Sequence, residues 1–422
     1  MNLFRFVSLG LSLVVVVNVG LFEVARAAGG FGPGVRAAAA GAPLTAGVVA
    51  AVTVLAVVAA LVVRLVLSFV VRPWRRARKA FLVLAGGLLV ASFVSPLLGL
   101  EGAGVLDVLL LEVLHVTTAI AAVLVAEQVA RPSWRFGAAT FAERSIEPRT
   151  AVVTGATSGI GAEVARQLTR RGFRVVGLGR NAERARQLEV EHPGLTVLTG
   201  DLSSMVDAAR LAGDVDRALD GAPVSLLVHC AGTLKPTASS TSEGLDANFA
   251  SSFLGRLALT ERLRLGPGVR VVNVAAAEAG VVPGFMRVEL AHPGDVGSGM
   301  RAHGRAQLAN DLWVASLARR GQSAWGYGPG SVDTGIRREV PWLLRVLMQP
   351  FFAAETRAPA EAAADIVRVL LDEQLPKAGF ASRDGVFAHD AFVHDEARQE
   401  RLLALAHALV EQATLTARSP AA

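Results

Sequence analysis

The sequence predicts an α/β domain built on a doubly wound parallel sheet, preceded by an α-helical transmembrane bundle. Three observations carry this. Apolar strand-like runs alternate with amphipathic helical patterns from residue 150 onward. The first of these strands runs into a glycine-rich turn, TAVVTGATSGIG at residues 150 to 161. Ahead of residue 127 lie apolar runs of the length a helix needs to cross a bilayer.

In chain order, the first apolar run is Phe6 to Phe22. It reads as a retained span or as the core of a signal peptide, because Ala25-Arg26-Ala27 resembles a small-residue cleavage site; the retained anchor is the reading we adopt. Leu44 to Val63 and Phe81 to Leu100 are charge-free runs of 20 residues, and Val105 to Val125 is interrupted by Asp107, Glu112 and His115. Helices are expected over about 6–22, 44–71, 81–100 and 105–126 within a membrane region 1–130. The Ala- and Gly-rich stretch at 25–43 is expected to form an exposed loop.

Charge orients this region. Residues 1–149 hold 13 Lys or Arg against 7 Asp or Glu, and the remainder is balanced, 29 against 29. No basic face is left for a nucleic acid. The excess lies in Arg64, Arg72, Arg75, Arg76, Arg78 and Lys79 and in a basic linker, 131–149, with Arg131, Arg135, Arg144 and Arg149. Both clusters read as cytoplasmic, so the large domain is expected on the cytoplasmic side of an integral membrane protein. The single cysteine, Cys230, precludes an intrachain disulfide and suits that reducing side.

The expected α/β domain spans 150–415, with a tail at 416–422. Its strands are AVVTG, RVVGLG, TVLTGD, VSLLVHCAG at 224–232, RVVNVA at 270–275 and a sixth near Ser323 to Tyr327. Helices are expected at Ala162 to Arg171, Ala182 to Glu191, Met205 to Leu219, around Leu245 to Leu263, and at His303 to Arg319. In the turn, Gly155, Gly159 and Gly161 let backbone approach a pyrophosphate at a helix N-terminus, with Thr154, Thr157, Ser158 and Ile160 around it.

Strand, glycine turn and helix are followed by Arg180 after the second strand, Asp201-Leu202 after the third and Ala231-Gly232 after the fourth. This ordered set resembles the short-chain dehydrogenase/reductase family and its Rossmann-type fold. The resemblance covers about residues 150 to 415. It implies NADP(H), with NAD(H) the lesser candidate, because Arg180 replaces the acidic residue that accepts NAD ribose hydroxyls. Asp201 would flank the adenine, or cap a helix. Pro329-Gly330-Ser331-Val332-Asp333-Thr334 resembles the loop that meets the nicotinamide end; Pro329, Gly330, Val332 and Thr334 are its expected contacts.

The family's chemistry is altered in this chain. RVVNVAAAEAG at 270–280 resembles the strand end that carries the substrate-binding serine, which puts Ala276 there. HGRAQLANDLWVASLARR resembles the Tyr-x-x-x-Lys helix of the retinol-dehydrogenase-like branch; anchoring on Leu308-Ala309-Asn310 sets His303 against the tyrosine and Gln307 against the lysine. His229-Cys230-Ala231-Gly232 stands for Asn-Asn-Ala-Gly, and Asn248 matches the asparagine of the tetrad. His303, with an intrinsic pKa of ~6.5, could serve as a proton donor without a lysine beside it; Gln307 could keep ribose hydrogen bonds without the charge. Tyr327, the only tyrosine, is a second candidate acid or a core residue.

Two functional readings follow. One is a membrane-anchored NADP-dependent oxidoreductase for a lipophilic alcohol or carbonyl, with catalytic Asn248 and His303; the other is an inactive NADP-binding module that regulates its membrane region or a partner. No metal site is expected. PWLLRVLMQPFF at 341–352 would face a lipophilic substrate or the bilayer, or form a buried helix. Asp107, Glu112 and His115 fall within about 140° on a helix and should face the bundle interior, for proton or quinone chemistry, or with Asp107 at the interface and the other two paired. Oligomeric state has no sequence signal.

Overall fold

The computed structural model describes residues 3–31, 35–37, 42–43, 45–70, 74–92, 100–101, 104–129, 141–275, 289–335 and 356–418. The chain divides into two compact units, Met1–Ser133 and Trp134–Ala422.

Among the described residues the first unit has four helices, α1 (Leu3–Ala27), α2 (Ala46–Val70), α3 (Trp74–Ser92) and α4 (Val105–Val129). A small antiparallel sheet, β1 (Arg36–Ala37), β2 (Ala42–Pro43) and β3 (Leu100–Glu101), joins their connections. Two of its strands form within the segment at 25–43 expected to be loop. Two segments among the described residues, Ala46–Leu67 and Val105–Val123, are long and apolar enough to cross a membrane. Many of their outward side chains are bare and apolar, including Val52, Leu55, Val62, Val105 and Leu109.

Helix α1 runs on through Ala25-Arg26-Ala27, and Phe22 is fully buried and stacked on Phe31. Asn18 is fully buried at the meeting of α1, α2 and α4. Its amide nitrogen donates to Thr53 Oγ1 (3.0 Å) and Thr118 Oγ1 (2.6 Å), and Thr117 Oγ1 donates to its carbonyl oxygen (2.7 Å).

Three expectations change. The run Phe81 to Leu100 is not one helix: α3 begins at Trp74, takes in the backbone of Arg75 to Lys79 and ends at Ser92, while 93–99 lie outside the described residues. Arg64, counted with the cytoplasmic basic cluster, is fully buried within α2 with its guanidinium over the Phe81 ring. Asp107 accepts from the backbone N–H groups of Gly104 (2.8 Å) and Phe31, so it caps α4 and tethers the chain beyond α1. Glu112 and His115 approach each other at 3.7 Å.

The second unit carries an eight-stranded sheet. Its strands are β4 (Thr150–Thr154), β5 (Arg174–Gly179), β6 (Leu195–Thr199), β7 (Val224–His229), β8 (Leu265–Val274), β9 (Ser323–Gly328), β10 (Gly379–Ser382) and β11 (Gly385–Phe387), in the order β11-β10-β9-β8-β7-β4-β5-β6. All neighbours are parallel except β10 and β11. The central strands are buried on both faces, which explains their unbroken Val and Leu runs.

One face is covered by α5 (Gly159–Arg170), α6 (Ala182–Glu191) and α11 (Pro359–Leu371), whose Val164, Leu168, Leu188 and Ile366 share a core with Val153 and Val228. The other face carries α7 (Met205–Ala218), the continuous α8 (Ala247–Phe249), a π-helical turn Ala250–Leu254 and α9 (Gly255–Thr260), then α10 (Gly299–Arg319) and α12 (Glu396–Arg418). The chain leaves β4 toward β5 and β6 on one side and toward β7 and β8 on the other, so a crevice opens beyond the carboxyl ends of β4 and β7.

The six expected strands and five expected helices are present; α10 starts four residues earlier than expected, at Gly299, and β8 five earlier, at Leu265. Strands β10 and β11 and helices α11 and α12 are additional.

Candidate functional site

Local backbone chemistry builds the crevice. Gly155 has φ +71° and its missing Cβ would lie 2.8 Å from the Ala231 nitrogen; at Gly161 a Cβ would lie 2.4 Å from the Gly155 carbonyl oxygen. Any side chain at either position would push the turn off the strand ends. The Thr154 hydroxyl locks β4 to β7 from behind by accepting from the backbone N–H groups of Cys230 (3.1 Å) and Ala231 (3.0 Å). Thr154 is thus buried support for the turn and does not line the crevice.

Ser158 precedes α5 in extended conformation and makes no side-chain cap. The first N–H groups of α5 are left to face the crevice, an arrangement suited to phosphate. The crevice is an open cavity of ≈ 620 Å³. Along it lie Gly155, Thr157, Ser158, Gly159, Ile160 and Gly161 of the turn, Arg180 after β5, Asp201 and Leu202 after β6, and Ala231 and Gly232 after β7. Pro329, Gly330, Val332 and Thr334 close it from beyond β9, with Thr334 Cγ2 3.0 Å from where a Gly159 Cβ would be. Asp201 accepts from Ser203 N (2.9 Å), whereas Ser204 caps α7. The donor set fits a dinucleotide: backbone N–H groups at a helix start, and two cations, Arg180 and Arg184, at the β5 end of the cavity. Arg184 is a cavity residue that the sequence reading missed, although it stands one helical turn from Arg180.

His303 and Gln307 lie at the opposite end. His303 Nδ1 is 3.0 Å from the carbonyl oxygen of Thr233. A carbonyl can only accept, so Nδ1 carries the hydrogen, and in the neutral ring Nε2 is a bare lone pair. Burial and the nearby Arg256 cation hold the imidazole below its ordinary pKa, against the opposing pull of the Thr233 carbonyl. At neutral pH the ring is therefore neutral with a free Nε2 lone pair, able to accept a proton, where the sequence reading had His303 as a proton donor.

Two expected participants lie elsewhere. Asn248 is buried away from the cavity: its carbonyl oxygen accepts from Lys235 N (2.8 Å), and its amide donates to the backbone oxygens of Lys235 (3.0 Å) and Gly299 (2.8 Å). It braces the chain after β7 against the start of α10. One turn on, the π-helical turn brings Ser251 and Ser252 to the cavity wall instead, with Ser252 Oγ accepting from Thr233 N (3.3 Å). Tyr327 is fully buried in the core beneath β9 and donates to Asp365 Oδ2 at 2.6 Å, so it is no acid for the cavity. Ala276 and the apolar segment 341–352 lie outside the described residues.

Sequence reasoning also missed Arg256. It is a lone charge in the apolar run FLGRLALT, and such a charge is rarely buried without purpose. Its guanidinium is buried on the cavity wall beneath Ala231. Cys230 lines the cavity too, with burial pushing its thiol up to about 12. No group of three or more potential metal ligands occurs among the described residues.

Comparison with known proteins agrees with this architecture. Residues 149–289 match the family model described as short chain dehydrogenase. The chain is similar to polyprenol dehydrogenase of Mus musculus, 31% identical over 274 residues that cover 60% of this chain and 78% of the relative. It is also similar to retinol dehydrogenase 12 of Mus musculus, 30% identical over 229 residues covering 50% of this chain and 71% of that protein. Among solved structures, an uncharacterized protein from Mycobacterium Paratuberculosis matches with a TM-score of 0.48 and 23% identity, over 66% of this chain and 98% of its own.

Proposed function

Given that the chain belongs to the short-chain dehydrogenase/reductase family, we propose that it is a membrane-embedded, NADP(H)-dependent oxidoreductase that oxidises lipophilic alcohols, with His303 as the proton acceptor. The fold implies a nicotinamide dinucleotide, which when bound takes up or gives a hydride at its ring. The observation that carries the reading is the Thr233 carbonyl on His303 Nδ1, which leaves Nε2 as the one basic nitrogen of the ring. Removing an alcohol proton requires such a base within reach of the hydroxyl. A histidine neutral at pH 7 does this without the lysine that the family's tyrosine needs.

Preference for NADP rests on Arg180 and Arg184, two guanidinium groups on one rim of the cavity, as a 2′-phosphate requires. Substrate class rests on the apolar helices of the first unit and on relatives named for polyprenol and retinol, both lipophilic alcohols. Embedding in the bilayer rests on helices α2 and α4, whose bare valines and leucines are costly in water. A cytoplasmic second unit follows from the basic clusters.

The test is an assay of purified full-length protein in detergent for NADP+ reduction with long-chain isoprenoid and aliphatic alcohols, beside H303A. Turnover that H303A abolishes supports the proposal. Turnover untouched by H303A removes His303 from the chemistry, and dinucleotide binding without turnover on any alcohol returns the inactive binding module as the better reading.

A further inference from the structure

Arg256 is 3% exposed and makes no ion pair among the described residues. Its Nε and Nη2 donate to Ala231 O at 3.0 and 2.6 Å, and its Nη1 donates to Val274 O at 3.0 Å and to Asn310 Oδ1 at 3.3 Å. Three neutral oxygens thus hold a full positive charge. Burial lowers its pKa to about 10, so the group remains cationic at neutral pH. A buried cation satisfied only by neutral acceptors is expensive unless a countercharge arrives.

The guanidinium also lies on the wall of the dinucleotide cavity. A guanidinium has five N–H groups, and the four bonds above leave one N–H on Nη2. That nitrogen sits against Gly232, where a Cβ would lie 3.4 Å from it. Asn310, which holds Nη1, is one turn along α10 from Gln307 and two from His303, on one helical face. The charge is therefore close to where the lysine of the related enzymes would project, but it enters from α9 and not from α10.

We propose that Arg256 is the cation this chain sets against a bound dinucleotide, in place of the charge that Gln307 lacks. The anionic ligand completes the missing countercharge, and the spare Nη2 N–H takes one of its oxygens. This rests on dinucleotide binding as proposed above, but not on turnover, so the two can fail separately.

NADPH affinity of the full-length protein in detergent decides it, read by quenching of tryptophan fluorescence and checked by thermal unfolding without ligand. R256Q should bind at least about tenfold more weakly, and R256K within about threefold of the parent, as expected for loss or retention of a charged hydrogen-bonding group. Adding Q307K to R256Q should restore binding to within about threefold, because the charge returns from another helix while the Arg256 bonds stay lost. A scaffold role would not be rescued that way. Should R256Q not fold, R256K and R256K/Q307E decide: the first keeps the affinity and the second loses it. R256Q with parental affinity, or R256Q weakened with no recovery on adding Q307K, overturns the proposal. A parent that binds no dinucleotide overturns it together with the proposed function; binding as stated with no turnover on any alcohol overturns only the latter.

Discussion

The Nδ1 of His303 lies 3.0 Å from the carbonyl oxygen of Thr233, and this contact fixes which nitrogen of the ring is free for chemistry. Burial, with the Arg256 charge, keeps the ring neutral below the ordinary histidine pKa of ~6.5. Alcohol oxidation should then be level through neutral pH, with its acidic limb falling below 6.5 rather than at it. A pH profile of kcat/KM for NADP+ reduction checks this; a limb centred above 6.5 would contradict it. H303A should remove the limb and lower kcat by about 10² or more.

The same burial makes a stability prediction. His229 is fully buried on β7, its Nε2 2.9 Å from Thr260 Oγ1, and desolvation holds it well below the ordinary value, as it holds His303 and, on the surface side, His394. A depressed histidine binds its proton in the unfolded chain first. Stability is fully present above about 6.5 and is lost as pH falls through the window below it. Thermal unfolding of the full-length protein between pH 7.5 and 5 should show a falling midpoint, and H229N, which keeps a polar partner for Thr260 without titrating, should flatten the fall.

At the other end of the cavity, Arg180 and Arg184 flank Asn181, whose side chain caps α6 by accepting from Arg184 N (2.9 Å). Cap and cations thus fall within five residues of chain, 180–184. Replacing both arginines by serine should weaken NADPH binding about tenfold or more and leave NADH within about twofold, since each charged hydrogen bond to a phosphate contributes about 1.5–3 kcal/mol. Equal losses for the two nucleotides would place the 2′-phosphate elsewhere.

Legibility followed from the kind of signal. The central strands β4, β5 and β7 were readable because burial on both faces forces nearly unbroken apolar runs, and Gly155 and Gly161 because only a missing side chain fits there. Strands β10 and β11 were not, since Gly379–Ser382 and Gly385–Phe387 are too short to show a period. The assignment of Asn248 relied on its resemblance to the tetrad asparagine of the family. The π-helical turn, which has no sequence signature, shifts the helical phase so that Ser251 and Ser252 reach the cavity while Asn248 is turned to Lys235 and Gly299. Arg256 was visible as a lone charge in an apolar run, but its target depends on how β7, β8 and α10 converge.

Tyr327 and Asp365 form a buried pair, with Arg357 Nη2 2.8 Å from the same Asp365 oxygen. Arg357 backbone in turn bonds Ser331 O and Asp333 N, so the pair anchors the loop after β9 from below the sheet. Y327F removes one donor while the Arg357 ion pair persists. It should lower stability by about 1–3 kcal/mol, the cost of a buried bond lost at one partner, with NADPH affinity within about twofold of the parent. Loss of turnover without loss of stability would restore Tyr327 as a candidate acid.

Asn18 links α1 to α2 and α4 through Thr53, Thr117 and Thr118. In an apolar surrounding an amide without partners is costly, which makes this knot a determinant of how α1 seats. The threonines have a second recourse, however: Thr53 donates to Val49 O (2.8 Å), and Thr117 (3.0 Å) and Thr118 (2.7 Å) donate to Leu114 O, each within its own helix. Removing Asn18 therefore strands no hydroxyl donor. N18A should cost only about 0.6–1.7 kcal/mol, the range for interhelical hydrogen bonds in membrane proteins, and N18L more, because a branched apolar side chain must fit a site shaped for a planar amide. Steric-trap or thermal unfolding in detergent micelles measures both. A cost above about 3 kcal/mol for N18A would mean that the hydroxyls do not fall back on their own helices, and that the three helices depend on this one residue for their register.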